Sequence, residues 1–343
     1  MYKILLVQFL LLLSCLNLYA QNKQEFELGP PEVKVKNSLY NSLKLLDCRS
    51  DTTNIGFVQT GLFNRKATVV AKKPLAQQFS ILLNSLTDST AKQGELLLQL
   101  RQLGFAEVTG SVSEKGYCYF NAQLYSKKAG QYQLTAAIDT VVLVKAMDVT
   151  NGLLKAGSAT IINFIAANLL QQPHEGNFYT YREVLKMDSV EKRKIKLYNT
   201  ATYVDGLYSN YKLFMEQTPD KQIVVEGYQI YPDAVKAKDE NGKLKKVQAQ
   251  NIYAIVYKGQ PYIASKHEYY PLKKVKDDFL FTGTAKVTAS TGDVVAATML
   301  FGGLAGLAVS NAEATFEMKI DHKNGTFIRL REIPDPPKPD YYE

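Results

Sequence analysis

The 343-residue sequence has few of the side chains that build metal and redox sites, with three cysteines, three histidines and no tryptophan. So few cysteines exclude a disulfide-rich scaffold, and histidines this far apart leave little material for a multi-histidine metal centre. No CxxC, GxSxG, HExxH, P-loop or GxGxxG pattern occurs, so the common signatures of thiol redox, hydrolase, zinc-protease and nucleotide-binding proteins are missing. We therefore predict no cofactor and no metal site, and we treat catalysis as the minority hypothesis.

The first twenty residues have the pattern of a secretory signal peptide. Lys3 supplies a positive start, residues 4–13 are mainly apolar, and Ala20 precedes a cleavage position at Gln21. The stretch is too short for a membrane-spanning helix. The alternative is a lipoprotein in which Cys15 carries the lipid. We expect an exported protein that is periplasmic or associated with the outer membrane.

The formal net charge of +8 suits an anionic partner, although a solvated basic surface would also explain it. Export argues against nucleic acid. The expected partners are an anionic lipid or glycan surface, with peripheral membrane contact, or another envelope protein. After removal of the signal peptide, Cys48 and Cys118 remain, and an oxidising compartment would allow them to form a disulfide. A buried, reduced Cys118 is the alternative, because it lies in an apolar alternation.

Composition divides the rest of the chain into four stretches. Residues 21–54 are polar and predict a tether or an edge strand. Residues 55–172 predict an α+β domain with helices packed on one face of an antiparallel sheet. Residues 176–333 carry repeated hairpin signals and predict a β-rich second domain. Residues 334–343 are rich in proline and predict an extended tail.

Two helices and a long antiparallel strand pair are predicted in the first domain. Pro74 opens the first helix, and Asp148 caps the second. Apolar and polar residues alternate over 117–125, which predicts one buried and one solvent-exposed face, and residues 132–144 return as the partner strand. A further strand is predicted at 95–101, ended by Gly104. The apolar face of the first helix consists of Leu75, Phe79, Leu82, Leu83 and Leu86, and that of the second of Leu153, Ile161, Phe164, Ile165 and Leu169.

An aromatic and basic set surrounds the first predicted hairpin of the second domain, which turns at Lys258-Gly259. Such residues could stack on sugars or meet anionic headgroups, and a half-buried sheet face would equally account for them. This candidate binding surface consists of Tyr257, Lys258, Tyr262, Lys266, Tyr269, Tyr270, Lys273 and Lys274. A second hairpin is predicted to turn near Asn324-Gly325, where a solvated His322 is expected.

Residues 294–312 form a stretch of nineteen residues without a charge that contains Gly302, Gly303 and Gly306. Its length and its GxxxG spacing would suit a membrane-spanning helix. Its Ala, Gly and Thr content and its acidic flanks argue instead for a segment packed on the domain. A self-association surface is the third interpretation.

The order of elements over residues 74–170, a helix, a long antiparallel strand pair and a closing helix, resembles that of the PqiC-type auxiliary proteins of ABC transporters. The matching strand segments are 95–100 and 118–124. This resemblance implies an α+β fold and a role beside an envelope lipid-transport machine. Proteins of this type are usually lipid-anchored.

The second half contains Gly206, Leu207, Tyr208, Tyr211, Phe214 and Pro219, followed by strand signals at 252–263 and by the 294–312 stretch. This order resembles that of uncharacterised exported Bacteroidota proteins, and it implies an envelope protein without indicating an activity. O-glycosylation in that phylum resembles an Asp-[Ser/Thr] rule, which makes Thr52, Ser89 and Ser189 possible acceptors. Thr140 also matches but lies in a predicted strand, and Ser89 is the best candidate.

The prediction from the sequence is an exported, non-catalytic envelope protein that acts as a binding or accessory module of a transport or assembly complex. One alternative is a glycan-acting hydrolase of the envelope, with Asp277, Asp278 or Glu268 as its acids and a cleft that holds two carboxyl groups. The other is an integral membrane component anchored through residues 294–312.

Overall fold

The computed structural model describes residues 22–49, 51–60, 65–109, 113–173, 175–228, 231–265, 268–286 and 313–333. The predicted signal peptide with Cys15, the 294–312 stretch with its three glycines, Lys266 and the proline-rich tail lie outside these residues. Within the described ranges, no helix is both long enough and apolar enough to cross a membrane.

The first half forms an eight-stranded sheet with two long helices. Its elements are β1 (Asn22–Phe26), β2 (Tyr40–Asp47), β3 (Gly56–Thr60), β4 (Arg65–Ala71), α1 (Leu75–Leu86), β5 (Gly94–Thr109), β6 (Glu114–Lys128), β7 (Gln131–Ala146), α2 (Thr150–Asn168) and β8 (Phe178–Tyr179). The strand order is β1-β4-β3-β5-β6-β7-β8, with β2 paired to the first half of β5. The sheet is mixed, because β1–β4, β2–β5 and β3–β5 pair in parallel. The α+β class is confirmed in broad terms, whereas the predicted purely antiparallel sheet is wrong.

Of the two interpretations of residues 21–54, a tether does not describe them, whereas β1 is an edge strand of the large sheet. Two segments of this stretch are β1 and β2, which add parallel strands to the sheet and bury Phe26, Tyr40 and Leu43 in its core. The polar residues that suggested a tether lie on exposed positions of these strands, so composition alone concealed the apolar ones between them.

Both long helices pack on one face of the sheet, as predicted. All five apolar residues of the α1 face are buried, and so are those of the α2 face. Gly157 allows α2 to approach the sheet closely, because a Cβ at this position would lie 2.6 Å from the Phe105 ring and 2.8 Å from Cys118 Sγ. Gly104 does not end β5, which continues to Thr109.

The described residues of the second half form three small antiparallel sheets and four short helices. Its elements are α3 (Tyr181–Leu185), α4 (Met187–Lys192), α5 (Lys196–Asn199), β9 (Gly206–Tyr208), α6 (Tyr211–Glu216), β10 (Ile223–Tyr228), β11 (Tyr231–Lys238), β12 (Leu244–Lys246), β13 (Ala254–Tyr257), β14 (Gln260–Ala264), β15 (Tyr269–Pro271), β16 (Lys273–Val275), β17 (Asp278–Lys286), β18 (Glu313–Ile320) and β19 (Phe327–Ile333). The sheets are β10-β11-β12, β15-β14-β13-β9 and β16-β17-β18-β19. Both predicted hairpins are present, as β13–β14 and β18–β19.

The second half covers the face of the large sheet that the alternation predicted to be exposed to solvent. Residues 116–126 of β6 are all buried, including Tyr117, Asn121 and Gln123 on the predicted wet face. Val184 of α3 and Met187 of α4 pack there against apolar residues of the large sheet. The prediction that this face is exposed to solvent is therefore wrong. The alternation of residues within one strand does not show whether another part of the chain packs over its polar face.

Candidate functional site

A buried ionic cluster lies where the second half meets the large sheet, and Arg101 is at its centre. Arg101 is the extra residue of a β-bulge in β5, where Leu100 pairs with Ala122 and Gln102 with Asn121. A bulge re-aims the side chain at its position. Arg101 is 9% exposed, and its Nε donates to Gln99 Oε1 at 3.2 Å.

Two elements of the second half bring the partners of Arg101. The helix α4 carries Asp188 and Glu191, and the turn between β18 and β19 carries Asp321, His322 and Lys323. The turn is held by bonds between the backbones of Asp321 and Thr326 and of Gly325 and Asp321, each 2.8 Å long. The hydroxyl of Tyr211 in α6 donates to the carbonyl of His322 at 2.9 Å. The turn is thereby fixed against the body of the second half.

Glu191 receives donors from three sides. Its Oε2 accepts from Arg101 Nη1 at 2.8 Å and from His322 Nε2 at 2.7 Å, and its Oε1 accepts from Gln123 Nε2 at 3.1 Å. Burial opposes ionisation of this carboxyl, but the hydrogen bond from His322 and the charge of Arg101 outweigh it and lower the Glu191 pKa to about 2. Glu191 is thus a fixed anion that joins the two halves.

A cavity of about 310 Å³ opens beside this cluster. Four cationic and three acidic side chains line it, together with an apolar wall. The charged residues are Arg49, Arg101, Lys319 and Lys323, and Asp51, Asp188 and Asp321; the apolar wall is Ile55, Leu103, Ile320, Ile328 and Leu330. Burial raises the pKa of Asp321 and lowers that of Lys323, where Arg101 adds to the effect.

Two buried polar atoms of cavity-lining residues have no hydrogen-bond partner in the described part of the chain. One is Arg101 Nη2, which lies 3.5 Å from Asp188 Oδ1 without forming a hydrogen bond, and the other is Asn121 Oδ1. A buried polar group without a partner costs about 1–3 kcal/mol, and a ligand is one way of satisfying it. The donor and the acceptor together would suit a small polar ligand.

The side chains of Asp188, Glu191 and His322 have ligand atoms within 4.8 Å of one another, which is a spacing compatible with a metal ion. The set fits a cation poorly, however, because Glu191 already accepts from Arg101 and His322, and Lys323 Nζ lies 3.7 Å from it. A metal would have to displace buried positive charge. The arrangement suits an anion better.

The predicted aromatic and basic surface does not form one surface. Tyr262 and Tyr269 are buried in a core on one side of the β13–β14 hairpin, and Tyr270 stacks on Phe281 on the side of another core. Lys274 Nζ donates to a backbone carbonyl, that of Tyr198, at 2.5 Å. Of the other members, Tyr257 is half-buried, and Lys258 and Lys273 are exposed. The alternative of a half-buried sheet face describes these residues better.

The three candidate acids of a hydrolase do not form a pair of free carboxylates. Asp278 bonds Lys192 Nζ at 2.6 Å, and Asp277 accepts from Ser189 at 2.9 Å, so both are engaged with α4. Glu268 is exposed. His322, expected to be solvated, is instead 6% exposed and belongs to the ionic cluster.

The predicted disulfide is wrong, because Cys48 and Cys118 are both free thiols. Cys118 is in the core beneath α2, where burial raises its pKa to about 12, whereas Cys48 packs with the cluster on the opposite face of the sheet. The alternative of a buried reduced Cys118 is confirmed.

The possible glycosylation acceptors have different surroundings. Thr52 and Ser89 lie on exposed loops, whereas Ser189 is a half-buried residue of α4 bonded to Asp277. Thr140 lies within β7, as predicted. Geometry therefore leaves Thr52 and Ser89 as the accessible acceptors, and glycosylation itself stays a prediction.

Sequence reasoning missed Arg101, Glu191 and Asn121 as site residues. Arg101 lies 90 residues from Glu191, and Glu191 lies 131 residues from His322. A spacing pattern cannot link residues this far apart. The one usable signal was Arg101 itself, a charge between Leu100 and Leu103 in the leucine-rich segment 96–103.

Comparisons with known proteins give little further information. No family model matches the chain, and no curated protein matches it. Among solved structures, the chain is similar to a Xanthomonas campestris protein assigned to DUF330, with 9% identity, a TM-score of 0.26, and coverage of 50% of this chain and 99% of that one. A likeness this weak carries no argument about function. The comparisons therefore give the resemblances to transporter auxiliary proteins and to exported Bacteroidota proteins no support beyond this weak structural likeness.

Proposed function

We propose that this protein is an exported, non-catalytic envelope protein that acts by binding an anionic ligand in the cavity beside Arg101. The export part rests on the signal-peptide pattern of residues 1–20. The binding part rests on one observation: the guanidinium of Arg101 is buried, borders a cavity and has one nitrogen without a hydrogen-bond partner among the described residues.

The lining of the cavity favours an anionic head with an apolar body. An arginine fork recognises phosphate and carboxylate geometry, and after Glu191 has taken the first nitrogen of Arg101, the second, which lies 3.5 Å from Asp188 Oδ1, forms no hydrogen bond among the described residues. Five apolar residues also line the space, of which Ile55 and Leu103 contribute to the core beneath the helices as well, and Ile320 to a core of the second half. A volume of about 310 Å³ is at the small end of ligand pockets and would hold a phosphate-ester headgroup with its first carbons.

Catalysis is supported less well. His322 and Arg101 lower the pKa of Glu191 to about 2. Its carboxyl group is therefore ionised near neutral pH and cannot supply a proton there. Asp278 is likewise engaged with a lysine. Nothing in the described part of the chain favours the hydrolase alternative or the membrane component over a binding role.

The proposal is tested by titrating the protein with glycerol 3-phosphate and, separately, with vesicles of phosphatidylglycerol or phosphatidylcholine. We expect wild-type protein to bind the free ester, the phosphatidylglycerol vesicles or both, and the two arms distinguish a soluble ligand from a lipid headgroup. Arg101→Lys retains a charge for Glu191 but loses the second guanidinium nitrogen, and should weaken binding roughly 10- to 100-fold.

The matched control is Lys212→Gln, which removes one positive charge from an exposed position of α6 outside the cavity. It should leave the affinity unchanged. If Arg101→Lys does not fold, Lys319→Gln removes another cavity cation. Absence of binding in both arms, or equal binding by the cavity variants and wild type, would overturn the proposal.

A further inference from the structure

Among the described residues, no strand pairs with the outer edge of β7 over most of its length. β7 pairs with β6 from Gln131 to Ala146, but on its other side it pairs with β8 only at Tyr132 and Gln133. No other described strand lies against residues 134–146. An open edge presents unpaired backbone donors and acceptors to any further strand.

The side chains along this edge do little to prevent another strand from pairing with it. On one face, Val141 is 42% exposed and Leu143 is 45% exposed, between Asp139 and Lys145. Edge strands are often protected by inward charges, prolines or bulges, and the one bulge in the β6–β7 pairing lies at Thr135, outside residues 139–145. Two neighbouring exposed apolar residues at the centre of an open edge instead favour coverage by another strand.

We propose that β7 pairs with β7 of a second copy of this chain, antiparallel, with Val142 on the two-fold axis. In this register Asp139 lies opposite Lys145 of the partner copy, and Val141 lies opposite Leu143. Each contact occurs twice by symmetry. Opposite charges and β-branched or aliphatic pairs directly across an antiparallel ladder are both stabilising.

Neighbouring registers lack this complementarity. Centring the axis on Val141 places Asp139 opposite Leu143 and Lys145 opposite Ala137. Centring it on Leu143 places Val141 opposite Lys145 and Asp139 opposite Met147. Only the register centred on Val142 matches charge with opposite charge and apolar with apolar, and it does so because the sequence 139–145 is self-complementary about its middle residue.

The charged pair is accessible at the surface. Both side chains are exposed; Lys145 forms no ion pair among the described residues, whereas Asp139 lies beside the Tyr119 hydroxyl and 3.5 Å from the side-chain nitrogen of Asn324. The opposite face of β7 carries the half-buried Ile138, Val142 and Val144, which pack on the core beneath α2. Pairing would join the large sheets of the two copies across the two-fold axis. The layer of half-buried side chains on this face would then continue from one copy to the other.

The test is the mass of the protein in solution, measured by sedimentation velocity over a range of concentrations. Wild type should dimerise reversibly. Asp139→Lys and Lys145→Asp each turn two attractive contacts into two repulsive ones, and each should raise the dimer dissociation constant about tenfold or more. Both positions are exposed, so circular dichroism should show unchanged folding.

Mixing the two single variants provides the decisive control. In a heterodimer of Asp139→Lys with Lys145→Asp, every cross-strand pair again has opposite charges, so dimerisation should recover in the mixture. The double variant should also dimerise, for the same reason. A monomeric wild type, a dimer that ignores the single substitutions, or a mixture that behaves like its components would overturn the proposal.

Discussion

At the scale of single residues, a half-buried and a fully buried glutamate respond to their surroundings in opposite ways. Glu191 accepts from Arg101 and His322, which holds its pKa at about 2 despite burial. Glu107 is 1% exposed, and burial raises its pKa to about 7, although the backbone N–H of Gln59 donates to it at 2.6 Å. As pH rises, the ionisation of Glu191 therefore stabilises the folded state, whereas the ionisation of Glu107 destabilises it.

We expect Glu191→Gln to lower the free energy of unfolding by about 2–4 kcal/mol at pH 7, because the buried Arg101 would lose its closest ionised partner and keep only Asp188, 3.5 Å from its second nitrogen. The folded pKa of Glu191 lies below its ordinary value of 4.5, so its contribution is present above pH 4.5 and is lost as pH falls towards 2. Urea unfolding at pH 7 and pH 3 measures both effects. Glu27→Gln is the control, since Glu27 contacts Lys72 and Lys73 at the surface and should matter little. Equal losses for the two variants at pH 7 would contradict the assignment of Glu191 as the buried anchor.

The expectation for Glu107→Gln has the opposite sign. The raised pKa of Glu107 means that the folded state loses stability as pH rises from 4.5 through 7, when the buried carboxyl must ionise. Glutamine keeps an acceptor for the N–H of Gln59 and carries no charge. The variant should therefore be about 1–3 kcal/mol more stable than wild type at pH 8.5 and nearly equal to it at pH 5. A stability difference that does not change between the two pH values would show that Glu107 does not titrate in this range.

At the scale of elements, two glycines of α2 make a matched pair. A Cβ at Gly152 would lie 3.6 Å from Val144, an ordinary contact, so Gly152→Ala should stabilise the helix by about 0.5–1 kcal/mol. A Cβ at Gly157 would lie 2.6 Å from the Phe105 ring, so Gly157→Ala should cost about 1–3 kcal/mol despite the better helix propensity. Thermal unfolding of the two variants should move the midpoint in opposite directions. A shift in the same direction would mean that α2 does not touch the sheet at Gly157.

The elements also show what the sequence could predict. Local periodicity correctly gave α1, α2, both hairpins and the long strands, because each depends on neighbours along the chain. It failed at Arg101, where the bulge moves the apolar face of β5 from Leu98 and Leu100 to Leu103 and Phe105. A strict period of two cannot follow an inserted residue. The sequence could not predict the cluster at Glu191 for a related reason, because its residues come together only through tertiary contacts.

At the scale of the whole molecule, each half completes the other. The large sheet has its helices on one face, and its other face is covered by α3, α4 and the β18–β19 turn. Removing the second half would expose Tyr117, Tyr119 and Tyr125, together with a buried Arg101 that had lost Glu191. We therefore expect that the two domains defined from the sequence do not fold independently of each other.

A fragment of residues 22–172 should accordingly fail to give a compact monomer, although it contains both long helices and seven of the eight strands of the large sheet. An exposed apolar face of this kind promotes aggregation and dye binding. The control is the fragment 22–194, which adds β8, α3 and α4 and so restores Val184, Met187 and the Glu191 carboxylate. We expect this longer fragment to be more soluble and to bind less 8-anilinonaphthalene-1-sulfonate, while remaining less stable than the chain through residue 333, because it lacks His322. Size-exclusion chromatography with dye fluorescence distinguishes the three chains. If the fragment 22–172 were monodisperse and unfolded at the same temperature as the full chain, the second half would be a separate module resting on the sheet and not a part of its fold.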